Sequence, residues 1–296
     1  MTGGAVPVPV PVTVYEVGPR DGLQNEKRLI PAADKVRLID LLAAAGFKKI
    51  EATSFVSPKW VPQMADAAEV MAAITRRPGV TYAALTPNMR GYEAARAAKV
   101  DEVAVFAAAS EAFSRKNINC SIDESLDRFR PVAEAARADG IALRGYISCV
   151  TDCPYSGAVP PAAVARVTKA LFELGCYQVS LGDTIGKATP EAVAVMLEAA
   201  LGVSDAADLA GHYHDTGGRA LDNIAVSLEK GLRTFDSAVG GLGGCPYAPG
   251  AKGNVATGRV VDFLARAGFA TGIDRDALGA AERFVAGLAV GDANRG

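Results

Sequence analysis

The sequence predicts an α/β protein that closes into a (β/α)8 TIM barrel followed by an extra C-terminal helix. Three observations predict it. Short apolar runs alternate with longer amphipathic runs from end to end. Eight such pairs follow one another at intervals of roughly 30 residues, the rhythm of βαβ units and a parallel sheet. The polar residues able to do chemistry gather where the expected strands end, the face on which such barrels build their sites.

Taken in order, the first strand is expected over 12–17 and ends abruptly at Gly18-Pro19. The first helix covers 31–45, with Pro31 suited to its first turn. Strand two is 48–52 and its helix 58–75. Strand three is 80–85 with a helix over 89–98. Strand four is 102–106 with a helix over 122–138. Strand five is 141–148 with a helix over 161–174. Strand six is 177–181 with a helix over 190–201. Strand seven is 208–213 with a helix over 219–230. Strand eight is 234–238, its helix 254–267, and a last helical pattern covers 274–290. Gly46, Gly140, Gly175, Gly231 and Gly268 fall just after helices, where left-handed caps belong. No G-x-G-x-x-G stands in the first strand-to-helix turn, which argues against a dinucleotide fold. One domain is expected over 1–296: a barrel over 12–268 and a helical extension over 269–296. That last helix is expected across the barrel mouth or against a partner subunit, and the chain as a homodimer.

Composition narrows the function. A net charge of −2 in 296 residues leaves no basic footprint, so nucleic acid is not the expected partner. No apolar run reaches the length of a membrane span. The five cysteines, Cys120, Cys149, Cys153, Cys176 and Cys245, follow no disulfide or zinc spacing and suit a reducing compartment. The first twelve residues repeat Val-Pro and carry no basic start, so they read as an extended arm, and a cytoplasmic location is expected.

Three clusters carry the chemistry. Arg20 and Asp21 stand side by side at the end of strand one, with Gly22 to let the backbone turn. His212 and His214 end strand seven and are the only histidines in the chain. Alternate residues of a strand point to one side, so H-x-H presents two imidazoles together. Asn254 follows strand eight in a glycine-rich stretch, Gly240 to Asn254, that also contains Cys245. Strands seven, eight and one are neighbours once a barrel closes. Asp21, His212, His214 and Asn254 then mix nitrogen and oxygen donors in a way that suits Mg²⁺ or Mn²⁺ and leaves zinc open. The glycine-rich stretch reads as a mobile lid that brings the Cys245 thiol over the site. Cys153 sits in a second Cys-Pro-Tyr and reads as structural or as a second wall of the site. Glu51, Arg144, Ser180 and Asp183 lie in or at the ends of strands, with structural and ligand-orienting roles equally open. Asp215 reads as a helix cap.

The strings V-G-P-R-D-G-L-Q-N-E-K, I-E-A-T-S-F-V-S-P-K-W-V-P-Q-M, K-N-I-N-C-S, S-L-G-D-T-I-G, H-Y-H-D-T and G-L-G-G-C-P-Y-A resemble the hydroxymethylglutaryl-CoA lyase family from about residue 14 to about 273. The resemblance implies a metal-dependent cleavage of (S)-3-hydroxy-3-methylglutaryl-CoA to acetoacetate and acetyl-CoA, as used in leucine degradation and ketone-body formation. It implies Asp21, His212, His214 and Asn254 as metal ligands. It implies Arg20 on the thioester carbonyl, Cys245 as proton donor or shuttle, and His212 as an acid–base group as well as a ligand. It implies Glu51, Ser180 and Asp183 as residues lining the substrate site, with Lys27 near substrate or CoA charge.

Two positions depart from the family's pattern: Gly217 where it usually has Tyr, and Gly258 where it usually has an acid. Both are expected to remove bulk or charge at the mouth and so either to enlarge the acyl pocket or to slow the chemistry. They leave open a lyase for a longer 3-hydroxy-3-alkylglutaryl-CoA. A Claisen-type condensing enzyme and a barrel kept only for binding are the other readings.

Overall fold

The computed structural model describes residues 9–24, 26, 28–243 and 253–290. Eight parallel strands form a closed barrel: β1 (Thr13–Glu16), β2 (Lys49–Ser54), β3 (Thr81–Leu85), β4 (Glu102–Ala108), β5 (Ala142–Ser148), β6 (Gln178–Asp183), β7 (Leu209–Tyr213) and β8 (Thr234–Ser237). Closure is made by β8, which pairs with β1 in register Asp236 to Tyr15. The expected fold, with its C-terminal helix, is therefore present.

Ten helices surround the barrel among the described residues: α1 (Ala32–Ala44), α2 (Ala67–Ala73), α3 (Met89–Ala97), α4 (Glu111–Ile118), α5 (Ile122–Asp139), α6 (Pro161–Leu174), α7 (Pro190–Leu201), α8 (Ala220–Glu229), α9 (Thr257–Arg266) and α10 (Arg275–Val290). None is long and apolar enough to cross a membrane. Their buried stripes, such as Val164, Val167, Leu171 and Leu174 of α6, pack on the outer face of the sheet.

Three stretches differ from the sequence reading. The helix expected over 58–75 is real only over α2, preceded by a single 3-10 turn at Pro62–Met64. Proline disfavours the helical region for the residue before it, and Val61 is extended at φ −132, ψ 78. Helix α4 was not expected. The Ser110 side chain caps it by accepting from Phe113 N, and Asn119 ends it in the left-handed region at φ 53. Helix α9 starts at Thr257, so Asn254 stays outside it and forms an antiparallel bridge with His214.

The C-terminal helix does not cross the mouth. It lies along the barrel's own seam: Asp274 N donates to Ala45 O at one end, and Val285 packs under Gly240 at the other. Arg37 of α1 stacks on Phe284, 4.8 Å from the ring centroid. The start of the arm is extended as expected, with Val10–Pro11 pairing in parallel with Phe269–Ala270. Residues 1–8 lie outside the described residues.

One buried acid ties the seam to the catalytic end. Glu16 is fully buried and accepts from Gly18 N (2.8 Å), Val239 N (2.8 Å) and Thr257 Oγ1 (2.7 Å). Burial pushes its carboxyl up to about 7 in spite of those donors. Between 4.5 and about 7 the folded state holds a proton that the unfolded chain has released, so this group lowers stability as pH rises through that window. Glu16→Gln should therefore gain on the wild type between pH 5 and pH 8, by up to about 3 kcal/mol at the upper end. Urea unfolding of both proteins at the two pH values measures this. A constant difference between them would show that the carboxyl is already ionised at pH 5.

Candidate metal centre and active site

The site begins where β1 runs out. Residues Gly18–Gly22 wind into one tight π-helical turn. Glycine is needed at both ends of it. A Cβ on Gly18 would sit 2.5 Å from Glu16 Oε1, and one on Gly22 would sit 2.7 Å from Leu242 Cβ. The turn sets Arg20 and Asp21 at the carboxyl end of the barrel. Arg20 Nε donates to Glu51 Oε2 (2.6 Å) and Nη1 to Asp21 Oδ1 (2.8 Å), and the guanidinium lies over Tyr146, 5.6 Å from the ring centroid. Burial works against the Arg20 charge, but Glu51 and Asp21 outweigh it and keep the group protonated. Burial raises the Glu51 carboxyl, and Arg20 opposes that rise. Glu51 Oε1 has no partner among the described residues.

β7 delivers both imidazoles to the same place. The two Nε2 atoms are 3.3 Å apart. His212 Nδ1 lies 3.2 Å from Asp236 Oδ2 on β8. Asp236 also takes two hydrogen bonds from Arg144, the shorter at 2.7 Å, and one from Ser180 Oγ at 2.7 Å. With Asp236 accepting from Nδ1–H, a neutral His212 presents a bare Nε2 to the mouth. On the far side, Asn254 Nδ2 donates to Asp21 Oδ2 (2.7 Å) and approaches Leu242 O (3.4 Å). The amide nitrogen is thus committed, and Oδ1 is the atom of Asn254 able to meet a cation.

Asp21, His212 and His214 offer ligand atoms that all lie within 4.8 Å of one another. Their electrostatics suit a cation. Burial alone would raise Asp21, but Arg20, His212 and His214 pull it down to about 2, so it is a carboxylate throughout the physiological range. Burial and the neighbouring His212 push His214 down to about 4, leaving it neutral at pH 7. Burial opposes protonation of His212 too, but the hydrogen bond and charge of Asp236 and the charge of Asp21 raise it. One carboxylate and two imidazoles with facing nitrogens fit a divalent ion.

Most of the expected site residues therefore converge. Arg20, Asp21, Glu51, His212, His214 and Asn254 meet at one mouth. Ser180 and Arg144 lie deeper, wholly buried, and reach the site through Asp236. Asp183, at the end of β6, spends its oxygens on Lys187 N (3.2 Å) and Ala188 N (3.1 Å) and so shapes the loop above the strand. Its carboxyl is raised by burial to about 6. Asp215 accepts from Ala220 N at the start of α8 (3.3 Å) and pairs with Arg259, which laces the H-x-H loop to α9. Cys153 is buried in a small hairpin, with Ser110 Oγ 3.0 Å from its sulfur. Lys27 and Cys245 lie outside the described residues.

Sequence reasoning missed Asp236, Tyr146 and Glu16. Asp236 could have been found: a carboxylate inside the buried strand T-F-D-S requires a buried cation, and Arg144 in strand five is the complement.

The two glycine departures act differently from expectation. The Cβ direction of Gly258 runs into the Glu282 carboxylate of α10, which Arg275 also holds at 2.9 Å. The space is filled by a charge from the C-terminal helix, so Gly258 opens nothing at the mouth. Gly217 does lie in the loop after β7 and is exposed, but a Cβ there would stand 2.8 Å from Gly186 O. The pair instead brings the loops after β6 and β7 into contact, with Gly217 N donating to Gly186 O at 3.0 Å.

Comparison with known proteins agrees with this geometry. The HMGL-like family model matches residues 11–285. The chain is 56% identical over 277 residues to the mitochondrial hydroxymethylglutaryl-CoA lyase of Bos taurus, covering 94% of this chain and 85% of that one. It is 57% identical over 289 residues to the 3-hydroxy-3-isohexenylglutaryl-CoA/hydroxymethylglutaryl-CoA lyase of Pseudomonas aeruginosa, covering 97% and 96%. Among solved structures, the HMG-CoA lyase of Brucella melitensis superposes with a TM-score of 0.93 at 63% identity, covering 94% of this chain and 99% of that one. An HMG-CoA lyase of Acinetobacter baumannii in complex with coenzyme A and 3-methylmalate gives 0.89 at 36% identity, covering 94% and 91%.

Asp236→Asn tests the support under His212. It leaves the buried Arg144 without its counter-charge and removes an acceptor from Nδ1. The fold should lose about 3–5 kcal/mol in urea unfolding. The Kd for Mn²⁺ by calorimetry should rise about 10- to 100-fold in the folded variant. An unchanged Kd would mean that His212 needs no such support.

Proposed function

The chain belongs to the HMGL-like family, and from that premise we propose the reaction and the residues that perform it. The protein is a divalent-metal-dependent carbon–carbon lyase that cleaves (S)-3-hydroxy-3-methylglutaryl-CoA to acetoacetate and acetyl-CoA. The observation that carries this reading is the meeting of Arg20 and Asp21 with both histidines at one mouth.

The C3 hydroxyl loses its proton, the C2–C3 bond breaks, and its electron pair becomes the enolate of acetyl-CoA while C3 becomes the ketone of acetoacetate. The enolate then takes a proton at C2. Asp21, His212, His214 and Asn254 would hold a divalent cation, which would supply Lewis-acid polarisation to the substrate hydroxyl. Arg20, clamped by Glu51 and Asp21, faces the thioester oxygen and stabilises the enolate charge, an effect worth about 3–4 kcal/mol by analogy with an oxyanion hole. Glu51 acts on substrate mainly by fixing that guanidinium. Ser180 acts through Asp236, which orients His212, and His212 also moves protons. Asp183 shapes the loop above β6, and Lys27 meets substrate or CoA charge. Cys245 delivers the proton to the enolate carbon from the glycine-rich stretch. A homodimer in the cytoplasm completes the reading.

A second acyl substrate has a specific observation behind it. The Pseudomonas aeruginosa relative is named for both 3-hydroxy-3-isohexenylglutaryl-CoA and hydroxymethylglutaryl-CoA. We therefore include the longer thioester as an alternative substrate of the same site.

A coupled assay with Mg²⁺ or Mn²⁺ tests the proposal. Acetoacetate and acetyl-CoA should form together at about 1 s⁻¹ or faster. EDTA should abolish turnover. Cys245→Ala should lower kcat by about 10²–10⁴-fold while Mn²⁺ binding is retained. A metal-loaded protein that leaves hydroxymethylglutaryl-CoA intact and cleaves the isohexenyl thioester would reverse the order of the two substrates.

A further inference from the structure

Trp60 is the chain's only tryptophan, and it is 83% exposed. Leu29 is 63% exposed, and these two are the most exposed large apolar side chains among the described residues. Neither lies at random. Leu29 belongs to the loop that leaves β1 and Trp60 to the loop that leaves β2, both on the rim of the mouth. The two loops are fastened together. The buried Gln63 side chain accepts from Ile30 N (2.8 Å) and donates to Arg28 O (2.8 Å), the residues that flank Leu29. The buried Lys35 Nζ binds the Gln63 carbonyl and both oxygens of Asp66, at 2.7 and 2.9 Å. Trp60 itself is set on a tight turn in which Trp60 N (2.9 Å) and Val61 N (3.1 Å) both donate to Ser57 O. An indole is thus held out into solvent by a braced loop, beside the exposed cation Lys59.

The same two strands hold the thioester end of the site. Arg20 follows β1, and its partner Glu51 lies in β2. A thioester carbonyl meeting Arg20 would lie near these strands, and the arm attached to its sulfur would then leave toward their loops. Coenzyme A ends in an adenine, which has a flat π-face, and in phosphates that a lysine complements. We propose that Trp60, with Leu29 on the adjoining loop and Lys59 next to it, is the platform on which the 3′-phosphoadenosine end of the acyl-CoA docks. The adenine stacks on the indole, and the phosphates lie toward Lys59. This inference rests on the acyl-CoA reading above.

The single tryptophan makes the test direct. Intrinsic fluorescence of the full-length wild type is followed while coenzyme A, and separately pantetheine, is added. Coenzyme A should change the emission saturably, and pantetheine should leave it unaltered. Steady-state kinetics then compare hydroxymethylglutaryl-CoA with the hydroxymethylglutaryl thioester of pantetheine, which lacks the nucleotide. Trp60→Ala should raise KM for the CoA thioester about 5- to 100-fold, with kcat little changed and KM for the pantetheine thioester equal to that of the wild type. Trp60→Phe should recover most of the loss.

Three results would overturn the proposal. One is unaltered emission at saturating coenzyme A. Another is an equal rise in KM for both thioesters, which would make Trp60 a support of the acyl site. The third is a change in sedimentation on Trp60→Ala with KM intact, which would make the patch a contact between copies. Failure of the wild type to cleave hydroxymethylglutaryl-CoA would sink the lyase reading and still leave the coenzyme A titration to be read.

Discussion

The ion pair between Arg144 and Asp236 is what the catalytic end stands on. Both side chains are fully buried, at 2.7 Å. Such a pair is costly to desolvate, and it is tolerable only where every remaining polar atom finds a partner. Here they do. Arg144 also donates to Gln178 (3.0 Å) and Tyr146 Oη (2.8 Å), and it lies against the Tyr15 ring at 4.0 Å. Asp236 shares itself among Arg144, Ser180 and His212. The barrel interior is therefore partly a polar column whose top is a metal-binding imidazole. Contacts run from Arg144 through Asp236 to the histidines, then to Asp21, Arg20 and Glu51. Against their burial, Arg144 and His212 keep Asp236 a carboxylate and Arg20 with the two histidines keeps Asp21 one, while burial and His212 leave His214 neutral.

Backbone economy brings Asp21, His214 and Asn254 to that column. β7, β8 and β1 are consecutive around the barrel, so groups more than 190 positions apart in sequence converge without long loops. The His214–Asn254 bridge and the bond from Asp215 N to Gly253 O (2.7 Å) fasten Asn254 to the H-x-H strand. Gly243, at φ +94, passes close to the Asn254 amide, where any side chain would crowd it.

The barrel and most of its site could be read from the sequence because both rest on local signals. Strand period, Gly after helices and polar residues at strand ends are all short-range features. What escaped depends on contacts far apart in sequence. Pro62 broke a helix whose apolar spacing was otherwise sound, and α4 was hidden because its eight residues show little periodicity. Asp236 was passed over because it sits inside an apolar strand, where only the three-dimensional neighbour Arg144 explains it. Gly258 was misread for the same reason: its meaning lies in Glu282, on a helix that nothing in the local sequence ties to it. Conversely, Asp21 and the two histidines were legible because barrel closure itself dictates that their strands adjoin.

The seam has a consequence for how the protein comes into being. β1 pairs with β8, the arm at Val10–Pro11 pairs with Phe269–Ala270, and α10 lies on α1. β1 and the arm before it, made well ahead of β8 and α10, therefore wait for them before their edges are covered. Such long-range pairing delays closure and leaves β1 exposed as a strand edge meanwhile. Arg20 and Asp21 emerge early but lack His212, His214 and Asn254 until nearly the whole chain has been made. A nascent or truncated chain thus carries half of the chemistry with no place to perform it, and activity arrives in a single step with the docking of the final strand.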